Sequence, residues 1–367
     1  MDTDELTAWL RLLETPGIGR SRARRLMAAF GSPQAAVQAP QAALADVIGP
    51  ALALALSTPS DGLTHLIEGT LAWLARGEQR AVITLGDPAY PALLLETADP
   101  PLMLYAQGRL ELLAKPSIAI VGSRRPSAQG ADNAKAFGAA LSAAGFTVVS
   151  GMALGVDGAA HQGALDGPGS TIAVVGTGLD RVYPGRHRAL AHRIAREGLL
   201  LSEFALGSLP LREHFPLRNR IIAGMTRGTL VVEAALASGS LITARLAAEG
   251  GREVFAIPGS IHAPQSRGCH ALIRQGAALV EQVEDILCEL RAWSPVQASP
   301  PAARPAQVPD DTDPVLRALG HEPATLDALI DRCGWPAPRL NARLLELELD
   351  GAVTRLPGGF FQRRGLA

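Results

Sequence analysis

Short runs of apolar residues alternate with amphipathic stretches between residues 117 and 280. The runs are SIAIV (117–121), FTVVS (146–150), TIAVVG (171–176), LLLS (199–202), TLVVE (229–233), EVFAI (253–257) and a weaker ALV (278–280). They lack polar alternation, so we expect strands that are buried on both faces, as in a parallel sheet covered by helices. The helical stretches between them fit successive βαβ units. The pattern therefore predicts an α/β fold with a doubly wound, Rossmann-like sheet, within a domain at 79–293.

The first 78 residues predict short helices instead of strands. Apolar residues from Leu6 to Leu13 repeat with the period of a helix, and a second helix follows the sequence PGIGR at 16–20. This order resembles a helix-hairpin-helix or SAM-like domain, whose glycine-rich turn can offer backbone N–H groups to a DNA phosphate. A plain helical hairpin that serves only packing explains the same residues equally well.

The chain beyond residue 293 predicts a linker and a small domain. Residues 294–314 contain six prolines and almost no large apolar residue, which is typical of a semi-extended linker. Residues 315–367 then show three helical patterns and a β-hairpin, which is the order of a winged helix with Pro357–Gly359 as the wing turn. The third helix mixes arginines with acidic residues, so we expect a protein-contact or packing role for it rather than insertion into a DNA groove.

Composition limits where any nucleic acid could bind. Hydrophobic residues make up 47% of the 367-residue chain and charged residues 19%, which indicates a folded protein, and the net charge is −1. A near-neutral chain has no global basic field, so a nucleic-acid surface must be local. The three cysteines share no metal-ligand spacing, and no segment reads as a signal peptide or a membrane span. We therefore expect a cytoplasmic protein without metal, disulfide or membrane contact.

One local basic stretch surrounds Phe215. Arg212, Arg218 and Arg220 lie within a few residues of it, in the sequence LREHFPLRNR. Guanidinium groups that can fork onto phosphate oxygens, beside an aromatic ring on which a base can stack, suit a single-stranded nucleic acid. A solvated turn that carries charge by chance would show the same residues.

The turn after the first predicted parallel strand favours a phosphate site. Gly122, Ser123 and Arg124 begin the sequence GSRRPSAQG, where glycine lets the backbone approach a phosphate and the next helix begins nearby. The turn is neither the GxGxxG dinucleotide motif nor the GxxxxGK[ST] P-loop, so we expect no nucleotide cofactor. The alternative is a tight turn with a surface arginine.

The second of these strands ends at Ser150 and Gly151, where open α/β sheets bind ligands. Asp157 and His161 follow at a spacing of four, so they would share a helix face and could pair. No GxSxG elbow surrounds a serine here, so we favour structural support over nucleophilic catalysis.

Seven motifs in order closely resemble those of the DNA processing protein A (DprA, or Smf) family. They are IVGSRRPSAQG, SGMALGVDGAAH, TIAVVGTGLDRVYP, LSEF, HFPLRNRIIAG, VVEAALASGSLITA and GREVFAIPG, and the resemblance covers roughly Ile83 to Glu284. The resemblance implies an extended Rossmann fold that binds single-stranded DNA. It also implies a recombination mediator that protects incoming DNA and helps load the RecA recombinase during natural transformation, with no established catalysis.

The resemblance also implies site residues. The implied DNA-binding residues are Gly122, Ser123, Arg124, Ser150, Gly151, Arg212, Phe215, Arg218 and Arg220. Arg212 stands where some relatives carry lysine. A homodimer is implied through the later part of the domain, here Leu272, Ile273, Ala277 and Leu279, although these side chains could instead pack on their own sheet.

Two other functions remain open at the level of sequence. A nucleotide-cleaving enzyme resembling the lysine-decarboxylase-like phosphoribohydrolases would use a strand-end glutamate such as Glu233. The PGGxGTxxE signature of those enzymes is absent, although GTLVVEAA weakly echoes it. A purely structural adaptor that works through the winged helix would leave the arginines near Phe215 unexplained.

Overall fold

The computed structural model describes residues 2–77, 79–291, 313–320 and 322–363. Six helices form the N-terminal part. They are α1 (Thr3–Glu14), α2 (Arg20–Phe30), α3 (Pro33–Gln38), α4 (Gln41–Ile48), α5 (Pro50–Ser57) and α6 (Asp61–Ala75). Gly17, at φ +86°, makes the turn between the first two helices. The predicted helical hairpin is confirmed.

A nine-stranded sheet follows. Its strands are β1 (Arg80–Thr84), β2 (Met103–Gly108), β3 (Ser117–Val121), β4 (Thr147–Ser150), β5 (Thr171–Val174), β6 (Leu199–Ser202), β7 (Gly228–Val231), β8 (Glu253–Ala256) and β9 (Ala278–Leu279). The spatial order is β1-β2-β6-β5-β4-β3-β7-β8-β9. β3 to β9 pair in parallel, whereas β1 and β2 extend the sheet antiparallel beyond β6. All seven predicted strands are present, and the two antiparallel strands were not predicted.

Helices cover both faces of this sheet. They are α7 (Ala92–Leu95), α8 (Ala128–Ala143), α9 (Val156–Ala164), α10 (Arg188–Glu197), α11 (His214–Gly224), α12 (Ser240–Glu249), α13 (Arg267–Arg274) and α14 (Val283–Arg291). Alternate residues of β3 explain the two layers. Ile118 and Ile120 pack with α8 and α9, while Ala119 and Val121 pack with α11 and α12. The predicted Rossmann-like arrangement is confirmed.

The N-terminal helices share a core with the sheet. Trp9 and Leu26 belong to the same buried cluster as Tyr105 and Leu200 of the sheet, and Trp73 meets the Tyr105 ring edge-on at 6.1 Å. The boundary proposed at residue 78 therefore separates two kinds of secondary structure that are packed together. The boundary itself stays a prediction.

The C-terminal part is a winged helix. It contains α15 (Pro314–Leu319), β10 (Ala324–Thr325), α16 (Leu326–Cys333), α17 (Ala337–Leu349), β11 (Val353–Leu356) and β12 (Phe360–Arg363). Gly358 and Gly359 have φ of +88° and +76° in the β11–β12 turn, which is the predicted wing. Most of the predicted proline-rich linker, 294–312, lies outside the described residues.

Candidate single-stranded DNA site

A small cavity lies where the carboxyl ends of β3, β4 and β5 meet the start of α11. Its volume is about 80 Å³, and it is lined by Arg124, Gly151, Met152, Ala153, Leu154, Gly176, Thr177, Tyr183, Pro184, Phe215 and Arg218. The cavity brings together three segments that lie far apart in the sequence, at Arg124, at Gly151, and at Phe215 with Arg218. Phe215 and Arg218 both face it because residues three apart share one side of a helix.

Arg218 forms the floor of the cavity. Its side chain is only 4% exposed, and its Nη1 donates a hydrogen bond to the carbonyl of Val174. Its Nε is buried and has no hydrogen-bond partner within the described part of the chain. Burial lowers the pKa of Arg218 to about 10, an effect opposed by the charge of Asp157, so the group remains cationic near neutral pH. A buried cation with an unused N–H favours an anionic ligand.

The turn after β4 is built around this guanidinium. A Cβ on Gly151 would lie 2.2 Å from Arg218 Nη1, so only glycine leaves room for the side chain. Asp157 accepts hydrogen bonds from the backbone N–H groups of Gly151 and Ala153, each at 3.1 Å. Burial raises the pKa of Asp157, and Arg218 opposes the shift. The Asp157 carboxylate therefore fixes the backbone of this turn, and Gly151 and Ala153 of the turn line the cavity.

The mouth of the cavity is aromatic and cationic. The exposed guanidinium of Arg124 lies 5.7 Å from the centroid of the Phe215 ring. The Tyr183 ring, 48% exposed, lies 5.8 Å from the Phe215 ring at an interplanar angle of 42°. Phosphate can approach Arg124 here while a base meets an aromatic face.

Tyr183 lines the cavity but was not among the predicted site residues. Tyr183 lies in the sequence GLDRVYP after β5. It is far from Phe215 along the chain, so no local pattern predicts the contact between the two rings. The available signal was an aromatic residue in the glycine-containing loop GTGLDRVYP that follows a predicted strand. The side chains of Met152 and Thr177 complete the lining.

Three other proposed residues are not among those that line the cavity. The Ser150 hydroxyl is fully buried and donates to the carbonyl of Ile120 at 2.6 Å, so it is engaged within the sheet. A Cβ on Gly122 would lie 2.8 Å from the Val156 side chain, which explains this glycine by packing. The Ser123 hydroxyl accepts from the N–H of Arg125 at 3.1 Å and shapes the turn that carries Arg124. A direct role of these three in DNA binding stays a prediction.

The structure does not bring the remaining two arginines into the cavity. Arg212 is exposed just before α11 and is not part of the lining. Arg220 binds Glu203 through Nη2 at 2.5 and 2.7 Å and lies 3.2 Å from Asp99. Arg20 of α2 also pairs with Asp99, at 2.8 Å, so this group of charges joins α2 to α11. The charge of Arg220 is balanced internally.

The phosphate position predicted at the start of α8 is occupied by the chain itself. Ser127 caps this helix, and its hydroxyl accepts from the N–H of Gly130 at 2.9 Å. The Glu233 carboxylate accepts from the backbone N–H of Ser127 at 2.9 Å and from its hydroxyl at 2.5 Å. An internal carboxylate therefore lies at the start of this helix, whereas the buried Arg218, whose Nε lacks a hydrogen-bond partner among the described residues, lines the neighbouring cavity. Phosphate binding by the turn at Gly122, Ser123 and Arg124 stays a prediction.

Asp157 and His161 do not pair with each other as the spacing suggested. Asp157 serves the turn after β4, whereas His161 Nδ1 bonds the Thr171 hydroxyl at 2.7 Å. Burial lowers the pKa of His161 to about 3, helped by the charges of His187 and Arg218, so the ring is neutral. Both side chains support the fold, as favoured, but through different partners.

The described residues contain no group of His, Cys, Asp and Glu side chains that could hold a metal ion. Within the same ranges, every helix is too short or too polar to cross a membrane. The site therefore consists of a buried arginine, an exposed arginine and two rings. Together with the fold, these features define a Rossmann-like protein with a candidate anion site, a helical hairpin domain before it and a winged helix after it in the sequence.

Matches to three family models identify the family to which this chain belongs. The model for "DNA recombination-mediator protein A" matches residues 81–291, the DprA winged helix domain matches 299–359 and the DprA-like N-terminal HHH domain matches 3–47. The chain belongs to the DNA recombination-mediator protein A family. The family predicted from the seven motifs is confirmed.

Individual relatives agree with this assignment. Protein Smf of Escherichia coli is 43% identical over 81% of this chain and 81% of its own length, and DNA processing protein DprA of Streptococcus pneumoniae is 50% identical over 55% and 72%. The solved structure of the Streptococcus pneumoniae protein matches with a TM-score of 0.68 at 37% identity, covering 79% of this chain and 98% of that one. A structure of DNA processing protein A from Helicobacter pylori, described for its single-stranded DNA binding mode, matches with a TM-score of 0.52 at 31% identity, covering 57% and 96%.

Proposed function

We propose that this protein binds single-stranded DNA, with one phosphate over the Arg218 cavity and the neighbouring bases against the Tyr183–Phe215 pair. The cavity supports this choice because its volume of about 80 Å³ suits a phosphate group and is too small for a nucleoside. Bases must therefore stay at the mouth, where stacking tolerates any sequence. The single observation that carries the proposal is the buried guanidinium of Arg218, whose Nε has no hydrogen-bond partner among the described residues, beside the half-buried Phe215 ring and the exposed Tyr183 ring.

We infer from family membership that the bound strand is handed to the RecA recombinase during natural transformation, after the protein has protected it. The same reasoning supports a homodimer through Leu272, Ile273, Ala277 and Leu279. The first three of these side chains pack partly on the core of their own chain, whereas Leu279 is 47% exposed. Leu279 is therefore the side chain of this group most able to meet a second copy.

We also expect binding without chemical turnover. The alternative enzyme would need a strand-end glutamate directed at a substrate, and Glu233 is instead held by Ser127. No specific observation favours nucleotide cleavage. Incubation with AMP checks this expectation, because a phosphoribohydrolase would release free adenine.

The function is tested by titrating a labelled oligonucleotide in single- and double-stranded form over a salt series. We expect preference for the single strand, little sequence preference, and affinity that falls steeply with salt as phosphate contacts release counterions. Equal affinity for a blunt duplex at moderate salt would contradict the proposal. A steep fall of affinity with salt would report local phosphate contacts, because the net charge of −1 gives the protein no global basic field.

A further inference from the structure

The loops after β3 and β7 face each other at the point where the direction of strand succession reverses. β3 has β4 on one side and β7 on the other, so the chain winds outward from β3 in both directions. Open α/β sheets bind nucleotides at such a switch point, with phosphate at the N-terminus of the helix after the first strand. In this protein that helix is α8.

A carboxylate occupies this position. Glu233, which follows β7, receives two hydrogen bonds from Ser127, one from the backbone N–H and one from the hydroxyl. A Cβ built on Gly130 would lie 2.4 Å from Glu233 Oε1, so the carboxylate lies directly against the first turn of the helix. The Glu233 carboxylate is therefore in direct contact with the start of α8.

The chemistry of this contact is that of a bound anion. The positive end of a helix stabilises negative charge, and Ser127 at the start of α8 donates both its backbone N–H and its hydroxyl to the Glu233 carboxylate. A phosphate that entered would meet a like charge at contact distance and would find its volume occupied. Exclusion therefore has both an electrostatic and a steric cause.

We propose that Glu233 is an internal anion that closes the nucleotide-phosphate position of this fold, and so determines that the protein does not bind mononucleotides there. Its removal should create an anion site at the start of α8. This inference does not depend on DNA binding, since it concerns a different helix end from the Arg218 cavity.

The experiment uses inorganic phosphate as the probe and full-length protein with assigned backbone amide resonances. Wild type, Glu233→Ala and Glu233→Gln are each titrated, and the amides of Ser127, Ala128 and Gly130 are followed. Glu233→Ala removes both charge and volume, whereas Glu233→Gln removes only the charge and keeps an acceptor for Ser127. Shifts at Gly151 and Gly176 report the Arg218 cavity separately and act as an internal control.

We expect saturable shifts at the α8 amides in Glu233→Ala, at least about tenfold tighter than any response of wild type, because new charge-assisted hydrogen bonds form. Glu233→Gln should lie between the two. Phosphate should also raise the melting temperature of Glu233→Ala more than that of wild type. Equal responses in all three proteins, or saturable binding at these amides in wild type, would overturn the proposal. If Glu233→Ala does not fold, the nearly isosteric Glu233→Gln decides: a response no larger than that of wild type contradicts the proposal.

Discussion

Arg218 and Arg220 stand two positions apart on α11 and have different surroundings. Arg218 lies under the cavity, while Arg220 is engaged with Glu203 and Asp99 on another side of the helix. Residues two apart on a helix do not share a face, so at most one of them can point into a given site. The sequence RNR indicates cations at this helix, but their division between a site and an ion pair depends on carboxylates supplied by distant segments.

At the mouth of the cavity, adjacent arginines provide a matched pair of variants. Arg124 lines the cavity, and Arg125 is exposed but does not. Arg124→Ala should weaken single-stranded DNA binding by about 1.5–3 kcal/mol, the worth of one charge-assisted contact, with an unchanged melting temperature. Arg125→Ala should have a much smaller effect. Fluorescence anisotropy titrations measure both, and equal losses would show that only general surface charge matters.

The two rings at the mouth should contribute through stacking. Tyr183→Ala and Phe215→Ala should each weaken binding by about 1–3 kcal/mol without changing the salt slope, because no phosphate contact is lost. Tyr183→Phe keeps the ring and should bind like wild type. Since Phe215 is half-buried, its variant also needs a thermal melt. Early melting with retained affinity would identify Phe215 as a packing residue.

At the scale of secondary structure, local sequence accounts for the parallel strands better than for the ends of the helices. Runs such as SIAIV and TLVVE are buried on both faces, and their nearly uninterrupted apolar residues make them recognisable as strands in the sequence. β1 and β2 were missed because their place in the sheet depends on antiparallel pairing of β2 with β6, far along the chain. The carboxylate at the start of α8 was missed for a related reason: Glu233 lies 106 residues from Ser127.

The turn after β4 gives a prediction about this element. Gly151→Ala would place a Cβ 2.2 Å from Arg218 Nη1, so the guanidinium must move. We expect destabilisation by about 1–3 kcal/mol, as for overpacking in a core, together with weaker DNA binding. Gly239→Ala is the control, because no atom lies within 4 Å of its added Cβ and its backbone is already helical. Denaturant unfolding compares the two; an equally stable Gly151→Ala protein with normal affinity would place Arg218 outside the site.

Across the whole molecule, the N-terminal helices are bound to the sheet by both packing and charge. Arg20 and Arg24 of α2 pair with Asp99, which also meets Arg220 of α11, the helix that carries Phe215 and Arg218. The helical hairpin is therefore joined to the element that shapes the cavity. Sequence predicted both units, but their contact follows from partly buried ion pairs that no local pattern reveals.

The proposed dimer is tested at Leu279, the most exposed of its four proposed contact side chains. Leu279→Glu should yield a folded monomer if the dimer forms as proposed, because a charge would be buried at a two-fold contact. Leu54→Glu, at a leucine of similar exposure in α5, should leave the oligomeric state unchanged. Sedimentation analysis at tens of micromolar reads out both variants. A wild-type protein that sediments as a monomer would refute the dimer.

We expect a DNA phosphate to bind over Arg218 while the bases remain at the aromatic mouth. A crystal structure of the protein with a short oligothymidylate tests it most directly. We expect a phosphate within hydrogen-bond distance of Arg218 Nε or Arg124, and a thymine ring against Tyr183 or Phe215. A strand bound elsewhere, with the cavity free of phosphate, would contradict the claim.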